Sequence, residues 1–486
     1  MNKENSGNKN HDITLRLPRR NDLIETKHRI KTRKISTRGP KSPMIILYGF
    51  FILDLIGTIL LSLPLATKEP NSSDFIVSLF TATSAITVTG LTLVDTYTHW
   101  SFFGQLVIII LCFLGGLGFM MSAAFIIILT GQKLSLNNRL LIRDGLGGGD
   151  LGSITTIIRY TVILALGLQI IGISILFSKW YLFGKLWDGI TWIEALWQSV
   201  FHGISAYNNA GFDLIPEKFG DNSLQYFSTD PIILSILGIL IFFGGIGYLP
   251  IRDLMNKKKF YKLELESKVV FTFSFLLIFI GALLFFLTEY NNQMTIGNNI
   301  LSDKISISFF QSISTRTAGF AVTDHSSVLS PTIIFSSILM FIGGATSSAA
   351  GGIKINTFGI IILATVSSLI GRKNVSAFHR RLPLDNVIRA FAITMLMVFS
   401  LFILSIIVLF FEINIPFENI IFEMVSAIGN NGLSTGITKE LNEWSKIIVV
   451  FTMFLGRFGP LTLILLLAGK TTQPSYNDSE ERIKIG

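Results

Sequence analysis

The sequence predicts an all-α membrane protein in which four copies of one unit surround a pseudo-fourfold axis. Three observations carry that prediction. Half of the 486 residues are apolar and only 15% are charged, against about 25% in a soluble chain of ordinary composition. Many apolar runs exceed the ~18 residues that suffice to cross a hydrocarbon core. Two glycine-bearing markers recur four times in the same order between and within those runs, which is a sign of internal duplication.

Charge placement orients the chain. Residues 1–42 hold twelve Lys and Arg against four Asp and Glu, and further basic stretches lie at 131–159, 252–268 and 372–389. Together these regions carry 27 of the 40 basic residues. The positive-inside rule puts all of them, and both termini, in the cytoplasm. Nucleic-acid binding is the rival reading of the basic tail. Topology and lipid head groups explain the tail more simply. No apolar h-region of a secretory signal occurs in residues 1–42. The single cysteine, Cys112, lies in an apolar run, so the chain holds no internal disulfide and no cysteine metal cluster.

Along the chain, residues 1–42 read as a basic cytoplasmic tail. The first repeat takes 43–131, with long spans at 44–64 and 98–130 around a shorter apolar segment near 72–86. The second takes 155–252, with spans at 155–178 and 230–250 around 191–206. The third takes 266–371, with 268–288 and a broken 331–369 around 303–314. The fourth takes 386–470, with 388–411 and 443–468 around 417–428, and 471–486 is a C-terminal tail. The short segments, 12 to 16 residues, suit re-entrant helices rather than crossings. Neither flank of any of them carries a basic loop, so each enters and leaves on the outer face. Eight transmembrane helices and four re-entrant pore helices follow, as four M1-P-M2 units.

The first marker is a glycine in a polar pocket after each short segment: AITVTGL (85–91), AYNNAGF (206–212), STRTAGF (314–320) and AIGNNGL (427–433). Its glycines, Gly90, Gly211, Gly319 and Gly432, are spaced by 121, 108 and 113 residues. The second marker is a glycine cluster in the later span: LGGLG (114–118), FGGIG (243–247), IGGAT (342–346) and LGRFG (455–459), whose first glycines fall 25, 33, 24 and 24 residues after the pocket glycines.

Non-helical backbone at membrane depth survives only where protein buries it or where it lines a water-filled cavity. Four such stretches meeting on one axis can ring a narrow path with carbonyls that replace the water of a dehydrated cation. Glycine admits the backbone angles this needs. Each short helix would turn the partly negative end of its dipole toward the axis. The expected filter is Thr87, Val88, Thr89 and Gly90 from the first repeat and Asn208, Asn209, Ala210 and Gly211 from the second. The third gives Arg316, Thr317, Ala318 and Gly319, and the fourth gives Gly429, Asn430, Asn431 and Gly432. The plainer reading is four glycine turns for helix packing. One glycine per repeat predicts modest selectivity.

Residues 343–352, Gly343, Gly344, Ala345, Thr346, Ser347, Ser348, Ala349, Ala350, Gly351 and Gly352, are ten small residues in a row. Glycines at both ends and hydroxyls between them weaken a helix, and 39 residues at 331–369 are too many for one straight crossing. A helix broken by a loop is expected, with small-residue helix packing as the alternative. Lys354 follows the stretch and either faces the interior or snorkels to the cytoplasmic face. Arg457 lies inside the last span, where a charge needs an interior partner. Arg316 reads as a brace behind the filter, bound to carbonyls or to a carboxylate such as Glu423. Asp54 reads as a satisfied interior carboxylate in preference to an ion site, and His202 as packing.

The pockets TVTGL, YNNAGF, STRTAGF and GNNGLSTG resemble the four filter segments of the Ktr/Trk/HKT superfamily of potassium transporters. Length, loop sizes and GGATSSAAGGIK look most like the membrane subunits of bacterial Ktr systems. The resemblance covers about residues 43–486; the long N-terminal tail departs from it. It implies K⁺ as the substrate ion, bound at the filter only, and filter glycines at Gly90, Gly211, Gly319 and Gly432. It implies a gating loop at 343–352 with Lys354 beside it, and an electrostatic barrier at Arg457. Sodium-preferring plant relatives have serine where Gly90 stands, which favours potassium; a sodium-permeable or Na⁺-coupled transporter is the alternative. The resemblance also implies a bacterial plasma-membrane homodimer on a cytosolic ring of nucleotide-binding RCK subunits, which would bind ATP or ADP. The C-terminal ERIKIG resembles the family's tail at the dimer interface.

An enzyme is not expected, and no cofactor is expected in the chain. The G-x-G-x-x-G match at Gly147, Gly149 and Gly152 follows no strand, and no G-x-x-x-x-G-K-[ST] occurs. The histidines, His11, His28, His99, His202, His325 and His379, form no ligand pair. A polytopic lipid-modifying enzyme would need a cluster of carboxylates or histidines at one interface. A simple channel subunit would need three more copies, whereas one chain here supplies four pockets.

Overall fold

Helices dominate the computed structural model, which describes residues 44–69, 73–117, 154–183, 186–187, 189–216, 224–346, 348–372 and 374–467. Both tails, Ser347, Gly118 and the glycine-rich 145–152 stretch lie outside the described residues. In chain order the helices are α1 (Met44–Leu61), α2 (Phe75–Thr87), α3 (Thr96–His99), α4 (Phe102–Leu117), α5 (Ile154–Phe177), α6 (Trp192–Tyr207), α7 (Pro231–Ile246) and α8 (Tyr248–Lys257). They continue with α9 (Leu265–Glu289), α10 (Leu301–Thr317), α11 (Ser330–Phe341), α12 (Ile355–Leu369), α13 (Leu384–Phe411), α14 (Phe417–Gly429) and α15 (Glu443–Leu467). A two-stranded hairpin pairs Ser376 with Arg381 and Ala377 with Arg380.

Local chemistry sets several boundaries. Asp230 caps α7 by accepting from the Ile232 and Ile233 amides, and Pro231 opens the helix. Thr191 caps α6 by accepting from Glu194 N–H. These side chains satisfy donors that a helix start leaves without partners.

Among the described residues, three helices are long and apolar enough to cross a membrane: Arg159–Phe183, Leu265–Glu289 and Leu384–Phe411. Shorter apolar helices accompany them, among them Phe75–Thr87, Phe102–Leu117 and Ile355–Leu369. The span expected at 230–250 is not straight. α7 and α8 meet at 94°, because Gly247 takes φ 77° between them, a conformation that costs a glycine little. The apolar stretch expected at 331–369 is broken. α11 ends at Phe341, α12 starts at Ile355, and the described residues between them, 342–346 and 348–354, are not helical.

The packing is cyclic. α2, α6, α10 and α14 each contact the long helices before and after them in their own quarter. Each also contacts the second long helix of another quarter: α2 touches α15, α6 touches α4, α10 touches α7 and α14 touches α11. The four short helices therefore lie inside a closed chain of contacts. Their C-terminal halves are buried, from Phe80 to Thr87 in α2 and from Phe422 to Gly429 in α14.

Candidate functional site

Three of the short helices stop the same way. Val88 (φ 59°), Asn209 (φ 58°) and Asn430 (φ 50°) take left-handed conformations two residues before their glycines. A β-branched residue such as Val88 rarely sits there, and such positions cluster where surroundings fix the backbone. The third pocket differs. Thr317 remains helical, and Ala318 at φ −122° leads directly into the glycine.

Gly90, Gly211, Gly319 and Gly432 all have positive φ, at 92°, 72°, 75° and 99°. Each also meets the carbonyl of the residue before another repeat's glycine. A Cβ at Gly90 would sit 2.5 Å from the Ala210 oxygen. Cβ atoms at Gly211, Gly319 and Gly432 would collide with the oxygens of Ala318, Asn431 and Thr89. The contacts run from the first repeat to the second, third and fourth and back to the first. The four pockets thus close into one ring, and any side chain there would displace a carbonyl.

The ring lies in the wall of an open cavity of about 350 Å³ lined by all four glycines. The same cavity is lined by Asp95, Asp213, Asp324 and Lys439. The three carboxylates escaped sequence reasoning. Their spacing was the available signal: Asp95 and Asp324 each stand five residues after their glycine, and Asp213 two after its own. Backbone amides hold all three, at Thr98, Ser326 and Ile215.

Polar side chains of the pockets bond into the surrounding protein, and those of Asn430 and Asn431 join neighbouring repeats. Asn430 Nδ2 donates to Thr89 Oγ1 at 2.8 Å and to the Met453 carbonyl at 2.9 Å. Asn431 Nδ2 donates to the carbonyls of Ser314 (3.1 Å) and Thr315 (2.7 Å) on α10. Thr87 and Thr89 share a hydroxyl contact of 2.7 Å. Asn208 Nδ2 donates to the Ile204 carbonyl at 2.9 Å. With its amide oriented to suit its neighbours, Asn209 donates to Ala206 and Ile241 carbonyls, both at 3.1 Å. Thr317 lies against Gly245, and Gly429 against the Met340 carbonyl. Arg316 is buried, does not line the cavity and donates to the Ser274 carbonyl of α9 at 3.4 Å. Its expected carboxylate, Glu423, accepts instead from Thr438 Oγ1.

The second marker also has a local cause. Cβ atoms at Gly115, Gly244 and Gly456 would collide with the carbonyls of Ile86, Tyr207 and Ile428, each four residues before a ring glycine. Glycine lets the long helix approach the end of the short one. The third repeat breaks this pattern where its helix breaks.

That break is a packed excursion. Gly343 N–H donates to Ile353 O at 2.9 Å, and Ile353 N–H to Phe341 O at 3.1 Å, which closes its neck. The Ala345 and Ala349 amides donate to the carbonyls of Gly245 (2.9 Å) and Gly244 (3.4 Å). Arg457 donates from Nη1 to the Ala349 carbonyl and from Nη2 to the Gly115 carbonyl, so it ties the loop to α4. Its partners are carbonyls. Lys354 turns back to the Ala350 carbonyl. Glu266, at the start of α9, accepts from Thr346 Oγ1 at 2.8 Å and Asn356 Nδ2 at 2.9 Å.

Asp54 is buried and accepts from Thr83 Oγ1 at 3.1 Å. His202 packs edge-on to Trp180, with Nδ1 on the Gln198 carbonyl and Nε2 accepting from Leu214 N–H.

Comparison with known proteins bears on these features. Residues 24–479 match the TrkH family, described as cation transport protein. The chain is similar to Ktr system potassium uptake protein B of Bacillus subtilis, with 38% identity over 90% of this chain and 96% of that one. It is similar to potassium/sodium uptake protein NtpJ of Enterococcus hirae, with 34% identity over 93% of this chain and 99% of that one. The crystal structure of the potassium transporter TrkH from Vibrio parahaemolyticus shares its fold, with a TM-score of 0.65 and 19% identity over 86% of this chain and 84% of that one.

Proposed function

We propose, for a chain that belongs to the TrkH family of cation transport proteins rather than to any enzyme family, that it takes up K⁺ across the bacterial plasma membrane through the glycine ring. The observation that carries the reading is the closed cycle of contacts between each glycine and another repeat's carbonyl. The oxygens of Thr89, Ala210, Ala318 and Asn431 are the ligands that replace water around the ion. The acidic cavity above them concentrates cations. The chain crosses the membrane eight times, with α2, α6, α10 and α14 re-entrant and both termini cytoplasmic; the cyclic packing supports this count.

Residues 343–352, with Lys354 beside them, form the gate, and Arg457, bound to the Ala349 carbonyl of the loop, is the barrier to cations. The protein works as a homodimer on a cytosolic ring of RCK subunits that bind ATP or ADP. The relative named as a Ktr system protein supports a soluble partner. The potassium/sodium uptake relative supports a second reading, in which Na⁺ also passes. Uptake of radioactive rubidium into liposomes, with cold K⁺ and Na⁺ as competitors, separates the two. The proposal expects competition by K⁺ far below the concentration at which Na⁺ competes, and loss of uptake in Gly319→Asp. Equal competition by both ions would favour the second reading, and undiminished uptake in Gly319→Asp would remove the ring from the path.

A further inference from the structure

One buried serine per repeat clamps the ring from behind. Ser84, Ser205, Ser314 and Ser426 each lie one turn from the end of their short helix, and all are fully buried. Each uses its own carbonyl to accept the amide that turns the chain: Thr89 N–H at 2.8 Å, Ala210 N–H at 2.8 Å, Gly319 N–H at 3.1 Å and Asn431 N–H at 2.9 Å. The hydroxyl then makes a second bond across the same turn, by two different routes.

In the first and fourth repeats the hydroxyl accepts. Gly90 N–H donates to Ser84 Oγ at 3.0 Å, and Gly432 N–H to Ser426 Oγ at 3.0 Å. In a trans peptide the N–H and the C=O point in opposite directions. Pinning the glycine N–H to the wall therefore aims the preceding carbonyl, that of Thr89 or Asn431, away from the wall and at the ring. In the second and third repeats the hydroxyl donates. Ser205 Oγ reaches the Phe212 carbonyl at 2.6 Å, and Ser314 Oγ reaches the Phe320 carbonyl at 2.7 Å. That holds the carbonyl after the glycine against the wall.

The sequence carries the signal. The serine stands six residues before the glycine in three repeats, at Ser84, Ser205 and Ser426, and five before it at Ser314. This one-residue deletion accounts for the missing left-handed residue in the third pocket.

We infer that Ser84 and Ser426 are positioning residues for selectivity, fixing the orientation of the Thr89 and Asn431 carbonyls on which discrimination between K⁺ and Na⁺ depends. The inference rests on the filter reading above. Without the hydroxyl, the glycine N–H loses its buried partner, and the peptide gains freedom to rotate its carbonyl out of the ring. A ring with a loose carbonyl fits the smaller ion more readily.

The test is the ratio of Na⁺ to K⁺ concentrations that halve rubidium uptake by the full-length protein in liposomes. Ser84→Ala and Ser426→Ala are each expected to lower the ratio by about threefold to tenfold, the range that one neutral hydrogen bond contributes. Ser84→Cys and Ser426→Cys, which keep the volume but accept poorly, are expected to match the alanine variants. Ser308→Ala removes a buried hydroxyl that bonds only one turn back, to the Lys304 carbonyl, and is expected to keep the wild-type ratio. Should one alanine variant fail to fold, its counterpart in the other repeat reads the same quantity. An unchanged ratio in the alanine variants, or a wild-type ratio in the cysteine variants, would overturn the inference. Gly319→Asp runs alongside. Uptake lost there with an unchanged serine ratio defeats the serine assignment alone, whereas uptake retained there defeats the filter reading itself.

Discussion

Replacing Arg457 by Met should open the path in the absence of any cytosolic partner. The guanidinium bridges the Ala349 carbonyl of the loop and the Gly115 carbonyl of α4. Only the first bond is lost when the loop leaves, because Gly115 belongs to a helix. A hydrogen bond from a charged donor contributes about 1.5–3 kcal/mol net. Removing it shifts the loop toward release by about 10- to 150-fold. Methionine keeps an unbranched apolar stem of similar reach, so the cavity left behind is small. Rubidium uptake by the purified protein alone should rise within that range. Arg457→Lys keeps the charge with a single ammonium in place of the two-pronged fork, and separates tether from barrier: high uptake there assigns the effect to the tether, and low uptake assigns it to charge. Uptake unchanged or reduced in a folded Arg457→Met protein would refute the account of how the loop is held.

Glu266→Ala removes the acceptor for Thr346 and Asn356. Both bonds are exposed and contribute at the low end of about 0.5–1.5 kcal/mol each, so amide exchange at Ala345 and Ser348 should speed up by about threefold to tenfold. Asp54→Ala strands the buried Thr83 hydroxyl; the loss of about 1–3 kcal/mol should lower the thermal midpoint, with Asp54→Asn losing less. Lys439→Glu makes the cavity wall more negative. The K⁺ concentration for half-maximal uptake should fall, and the effect should shrink as ionic strength rises.

The features legible in the sequence are those in which residue type is forced by contact. Gly90, Gly211, Gly319 and Gly432 were readable because no other residue fits against a neighbouring carbonyl at positive φ. Gly115, Gly244 and Gly456 were readable for a related reason, since long and short helices approach there backbone to backbone. The run at 343–352 announced its break through glycines at both ends and hydroxyls between them, which weaken a helix. The bend at Gly247 was not legible, because the apolar stretch continues past it and hydropathy carries no direction. The wall-facing roles of Asn208, Asn209, Asn430 and Asn431 were hidden as well. Amides next to glycines look like ligands in one dimension, and only the fold shows Asn208 and Asn209 bonded to carbonyls of their own repeat while Asn430 and Asn431 join neighbouring repeats. The serines were missed because a hydroxyl in an apolar helix ordinarily bonds to the turn before it. The cavity carboxylates lie in loops where composition alone gives no address.

The proposed path stands on four carbonyls, one from each repeat, holding the ion. Crystals of the protein grown in rubidium test it most directly, by anomalous scattering. The account predicts rubidium on the axis between the oxygens of Thr89, Ala210, Ala318 and Asn431, displaced by K⁺ and retained when Na⁺ is added at equal concentration. A ring without rubidium, in crystals that hold the ion elsewhere along the chain, would contradict it.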